Sequence, residues 1–132
     1  MDVCYIIPGM FSIGIDVADI ERFRTVLRKK NNRFLANTFT KLEQDYCLSF
    51  KDPAPHFAGT FAAKEAVRKL SPAYLLPMRE IEIRRTGSGK PETWVAGKRL
   101  ASVHVSITHG KRDAFAVALK NGSEKVHRRR PR

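Results

Sequence analysis

The segment "AFAVALK", residues 114–120, is apolar on both parities: Phe115, Val117 and Leu119 on one, Ala114, Ala116 and Ala118 on the other. Neighbouring side chains of a strand point to opposite faces of a sheet, so this strand needs cover on both. It must be central, or covered by another subunit. The preceding "VHVSITH" alternates Val103, Val105, Ile107 and His109 against His104, Ser106 and Thr108, and "GKRD" turns the chain between the two. With 132 residues there is room for one domain with a real core and too little for two.

Other strands and helices complete the domain. "FSIGIDV" (11–17) is rich in β-branched and apolar residues and reads as a strand. "DIERFRTVLRKK" follows as a helix capped by Asp19, with Ile20, Phe23, Val26 and Leu27 on its apolar face. Thr40 and Glu43 make a capping box that opens a second helix, "TKLEQDYCLSF", which "KDPAP" ends. A third helix covers about 56–70 and stops before Ser71-Pro72. "REIEIRR" alternates around Ile81 and Ile83, "TGSGKP" turns, "ETWV" returns, and "GKRLAS" reads as a short helix. The sum is an α+β fold, with helices packed on one face of a small antiparallel sheet.

A hydrophobic content of 42% and a charged content of 29% fit a folded globular chain, and no apolar run approaches a membrane span. The N-terminus is a poor signal peptide. Cys4 and Cys47 match neither a disulfide framework nor a zinc pattern, which suits reduced thiols in the cytoplasm. A net charge of +12 calls for an anionic partner: nucleic acid, an acidic protein or a phosphorylated small molecule. Residues 121–132 carry Lys125, Arg128, Arg129, Arg130 and Arg132 against one acid and read as a disordered basic tail. The body remains basic without it.

The chemistry concentrates around Glu65. In "FAAKEAVRK" it falls between Ala58, Phe61 and Ala62 on an apolar helix face, with Lys69 one turn on. A carboxylate there needs an ion pair or a metal to offset its desolvation. Lys69 is a candidate ion-pair partner; Asp16, ending the strand "SIGID", is a candidate second ligand for a hard divalent cation such as magnesium. Taken alone, Asp16 reads first as a turn or cap residue. Lys64 and Lys69 either solvate a basic surface or hold phosphates. His109 reads as a core-side histidine at a strand end, and "GSGKP" lacks Walker spacing and reads as a hairpin turn.

Together, "GIDVADIERF", "TFTKLEQDYC", "FAGTFAAKEAVRKL", "REIEI…GKP" and "VHVSITH…AFAVAL" resemble the holo-acyl-carrier-protein synthases, the small trimeric type of phosphopantetheinyl transferase, over roughly residues 10–120. The resemblance implies transfer of phosphopantetheine from coenzyme A to a serine of apo acyl carrier protein, with release of 3′,5′-ADP, in support of fatty-acid biosynthesis. It implies Asp16 and Glu65 as magnesium ligands, with Glu65 also a candidate acceptor of the serine proton. Lys64 and Lys69 would sit near the phosphates, Lys69 at the leaving group, and Lys90, Pro91 and His109 would contact coenzyme A. His109 would reach it across a subunit interface of a homotrimer. Arg22, Arg24 and Arg28 would receive the acidic helix of the carrier protein.

Two positions depart from that family's pattern. Thr60 stands where an arginine is usual, and "SPAYLLP" replaces a "G-T-G" loop, which puts the nucleotide-phosphate contacts in question. Arg68, Lys90 and Arg112 are candidate replacements. Family members begin a few residues before "G-x-D", so Met10 fits as a start and residues 1–9 read as an extension. Two competing readings are a small basic nucleic-acid-binding protein and a catalytically lapsed relative that only binds carrier protein. The first leaves Glu65 and Asp16 without a role and lacks exposed aromatics among its basic residues.

Overall fold

A computed structural model of the chain describes residues 5–7 and 11–121. The expected start at Met10, Cys4 and the basic tail beyond Asn121 lie outside the described residues, and of the expected extension at residues 1–9 only Tyr5–Ile7 is described. Those three residues form β1, an edge strand paired antiparallel with β2 (Phe11–Asp19) through Tyr5 opposite Ile13. The chain continues with α1 (Ile20–Leu27), α2 (Arg33–Thr38), α3 (Lys41–Leu48) and α4 (Ala54–Arg68). Two short 3₁₀ turns lead to β3 (Ile81–Arg85), β4 (Pro91–Val95), β5 (Lys98–Arg99), β6 (Val103–His109) and β7 (Asp113–Asn121). The fold is α+β, as expected.

The strands form two antiparallel sheets, β1-β2-β7-β6 and β3-β4-β5. β7 is central in the larger one, paired with β2 along its whole length and with β6 on its other side. Its alanine parity is fully buried under α4, and its other parity stays open, with Phe115 and Val117 exposed. Alternation in β2 matches. Ser12, Gly14 and Ala18 are buried on the helix side, while Ile13, Ile15 and Val17 lie on the open side. The requirement for cover on both faces is therefore met on one side only within a single chain.

Small residues let α4 approach the sheet closely. A Cβ on Gly14 would sit 2.0 Å from the Ala66 carbonyl oxygen, and one on Gly59 would sit 2.8 Å from Ile107 Cγ2. Behind α4, Phe23 of α1, Phe39 and Phe57 stack edge to face, with ring centroids of 6.3 Å for Phe23–Phe39 and 5.0 Å for Phe39–Phe57.

The helix caps follow the sequence. Asp19 accepts from the Glu21 amide, and Thr40 and Glu43 form the capping box. Two elements differ from expectation. α2 has no apolar run to announce it; Asn32 caps it through the Leu35 amide. "GKRLAS" is not a helix. Ala96 (φ 49°) and Gly97 (φ 78°) make a two-residue turn, and Lys98–Arg99 returns as β5 against β4. The strand β7 also runs one residue past the expected domain end at 120. Among the described residues no helix is long and apolar enough to cross a membrane.

Candidate active site on the β2 and α4 surfaces

The close approach permitted by Gly14 sets Asp16, two residues along the same parity of β2, against the C-terminal end of α4. There the Lys69 ammonium donates to the Ile15 carbonyl at 2.8 Å and to the Asp16 carboxylate at 3.2 Å. Glu65 lies one turn back on the same helix face and pairs with Arg68 at 3.2 Å, not with Lys69. All four side chains are partly open, between 16% and 25% exposed. An open cleft of about 310 Å³ lies over this point, lined by Ile15, Asp16, Val17, Lys69 and Phe115. One carboxylate and one cation, Asp16 and Lys69, thus line the cleft beside the uncovered apolar face, with the Glu65–Arg68 pair one turn back on α4.

These donors fit a hard divalent cation of modest protein coordination. Among the described residues no group of three or more His, Cys, Asp or Glu side chains could hold a metal. An ion here would take Asp16 and Glu65 as ligands and fill its remaining positions with water or phosphate oxygens, the habit of magnesium.

Lys64 corrects an expectation. Its ammonium is fully buried, 2.5 Å from Glu43 Oε1 and 2.6 Å from the Thr38 carbonyl, so it cannot hold a phosphate beside Glu65. Glu43 accepts in addition from the Thr40 and Ile83 amides. Burial pushes the Glu43 carboxyl up and the Lys64 ammonium down, and each is opposed by its partner. The pair ties α3, α4, β3 and the end of α2 together. Sequence reasoning missed Glu43 in this role because the capping box already accounted for it.

His109 is exposed, not core-side, and lies at the other end of α4. Its ring is 5.7 Å from that of His56, in the first turn of the helix. His56 and Glu65 are nine residues apart, about 14 Å along a helix. One chain therefore does not bring His109 to the Asp16–Glu65 end. Lys90 and Pro91 line a separate cavity of about 140 Å³ between β4 and β6, with Thr93, Arg99 and Leu100. The Thr93 hydroxyl is buried without a hydrogen-bond partner.

The three arginines of α1 differ. Arg22 is exposed and covers the rings of Phe34 and Phe61 at 5.4 and 5.7 Å. Arg24 is engaged by Asp52 at 2.6 Å and Glu21 at 3.3 Å, which hold its guanidinium above its ordinary range. Arg28 is exposed and lies 3.9 Å from Glu21.

With this geometry in hand, comparison identifies the class. Residues 12–120 match the 4′-phosphopantetheinyl transferase superfamily, to which the chain belongs. Within it, the similar proteins are holo-[acyl-carrier-protein] synthases. That of Leptospira biflexa is 40% identical over 121 residues, covering 83% of this chain and 95% of the relative. That of Syntrophus aciditrophicus is 35% identical over 120 residues, covering 83% and 94%. Among solved structures, the Bacillus anthracis synthase in complex with CoA (3′,5′-ADP) superposes with a TM-score of 0.70 at 28% identity, over 87% of this chain and all of that one. The Mycobacterium tuberculosis acyl carrier protein synthase gives 0.66 at 29%, over 87% and 100%.

Proposed function

We propose that the protein transfers the phosphopantetheine group of coenzyme A to a serine of apo acyl carrier protein, releasing 3′,5′-ADP, and so serves fatty-acid biosynthesis in the cytoplasm. The observation that carries this reading is the meeting of Asp16 and Lys69 at the end of α4, one turn from Glu65, in a member of this superfamily. The serine oxygen attacks the phosphorus that bears the pantetheine arm, and the bond from that phosphorus to the 3′,5′-ADP oxygen breaks. Glu65 accepts the serine proton, directly or through water. Lys69, already held at Asp16, stabilises the charge that develops on the leaving oxygen. Asp16 and Glu65 would hold magnesium, which when bound neutralises the pyrophosphate and helps align it.

The separation of His109 from Glu65 along α4 and the uncovered apolar sheet face both support a homotrimer whose sites form between subunits, His109 approaching the nucleotide bound by a neighbour. Arg22 and Arg28 face solvent on α1 and suit an acidic helix of the carrier protein. Lys90 and Pro91 would border the nucleotide from their cavity.

The test is incubation with coenzyme A, magnesium and apo acyl carrier protein, read by intact mass. Wild type should add one phosphopantetheine to the carrier. Asp16→Asn and Glu65→Gln should each abolish the addition, a loss of at least about a thousandfold for removal of a metal ligand, with unchanged melting. Near wild-type turnover by either variant in magnesium would remove the metal assignment. No transfer by wild type would leave a protein that only binds carrier.

A further inference from the structure

Thr60 is 2% exposed, and its hydroxyl lies 3.7 Å from the buried Cys47 thiol. No cation is supplied from this position, so the charge that a phosphate would need near it must come from elsewhere. Arg68, one candidate in the sequence, is bound to Glu65 at the far end of α4, and Lys90 lines the β4–β6 cavity.

Near the Cys47–Thr60 contact the structure instead gathers a group of rings and cations contributed by α3, the loop after it, α4, β3 and β6. The Arg85 guanidinium lies 4.9 Å over the Tyr46 ring, and Tyr46 is 6.3 Å from His56. His56 stacks on Phe50 at 3.5 Å with the rings 11° from parallel, and meets His109 edge to face at 5.7 Å. Arg85 is the cation whose charge acts on both Cys47 and His56. Asp52 is the acid that faces His56, and it is already bonded to Arg24 at 2.6 Å. His56 lies in the first turn of α4, where the helix dipole adds positive field. Three side chains able to carry positive charge thus lie around these rings, His56 and Arg85 half-buried and His109 exposed, with Asp52 the acid that acts on His56.

We infer that Arg85 and His56, together with His109, form the anion subsite that receives a phosphate of the nucleotide, replacing the cation that Thr60 does not supply. This rests on the transferase reading above. The group bound is a phosphate of the 3′,5′-ADP portion. Arg85 supplies permanent charge and a planar donor fork pre-positioned on Tyr46. His56 supplies a second, titratable donor whose ring plane is fixed by Phe50. Burial, His109 and Arg85 hold its pKa below the usual histidine value in the free protein. A bound anion favours its protonated form, so the contribution of His56 to affinity is greater at low pH and fades as pH rises.

Equilibrium titration of the full protein with 3′,5′-ADP, at pH 6 and pH 8, tests this. Arg85→Met, which keeps an apolar stem on Tyr46, should weaken binding by at least about tenfold at both values. His56→Phe, which keeps a ring against Phe50, should weaken it about threefold at pH 6 and leave it unchanged at pH 8. The ionisation of the ligand is common to wild type and variant, so the difference between them isolates His56. The KM for carrier protein should not move in either variant. Wild-type affinity in both variants at both pH values would overturn the subsite while leaving the transferase reading intact. Failure of wild type itself to bind either 3′,5′-ADP or coenzyme A would overturn both.

Discussion

Lys64 and Glu65 are neighbours in sequence and do opposite things. Successive helix residues point about 100° apart, and here that turn puts the two in different surroundings. Glu65 is partly open and pairs with Arg68, and Lys64 turns inward to Glu43. Removing one member of such a pair leaves a buried charge without a partner. Lys64→Met should therefore cost about 3–5 kcal/mol in urea denaturation. Lys64→Met combined with Glu43→Gln should recover part of that loss, because the unpaired charge is gone while the single amide oxygen can still accept from one of the Thr40 and Ile83 amides. A double variant no more stable than the single one would show that the unpaired charge is not the source of the loss.

At the scale of elements, α1 offers a basic surface whose arginines are not equivalent. Arg24 bridges α1 to Asp52 before α4 and is occupied, whereas Arg22 and Arg28 stay open to an incoming acidic helix. Arg22→Glu with Arg28→Glu should raise the KM for carrier protein by about tenfold, or 1.4 kcal/mol, and flatten its salt dependence. The KM for coenzyme A should hold. Arg24→Glu should lower the melting temperature more than it alters docking; steady-state kinetics beside thermal melts would separate the two. The elements most legible in the sequence are those with a local chemical mark. The Asp19 cap, the Thr40–Glu43 box, the alternation of β3 and β6 and the double apolarity of β7 all recur in the structure. α2 and β5 were not legible, because six residues under an asparagine cap and a turn through Ala96-Gly97 carry no periodicity. The site was legible in part. Asp16, Glu65 and Lys69 stand out as charges on apolar elements. The burial of Lys64, the capture of Arg24 by Asp52 and the gathering of Arg85 with His56 depend on contacts between distant segments that no local pattern records.

For the molecule as a whole, the open face of the larger sheet is the surface through which the proposed trimer would form. Ile15, 60% exposed, lies opposite Val117, and Val17, 54% exposed, lies opposite Phe115, so the exposed residues form one continuous apolar strip across two strands. Such a strip on a single chain marks an interaction surface. Ile15→Lys should convert a trimer into monomers by light scattering and abolish transfer without unfolding the chain. Inactive His109→Ala chains mixed with inactive Glu65→Gln chains should regain partial activity, since each supplies what the other lacks. No recovery in verified mixed oligomers would count against shared sites. The same strip has a consequence for the protein at low abundance. If half of each site arrives with another chain, activity per molecule is governed by mass action as well as by substrate, and dilution below the dissociation constant of the assembly extinguishes it. The amount of the chain in the cell would then set turnover more steeply than in proportion, with coenzyme A and carrier, by bridging two chains, holding together the assembly that uses them.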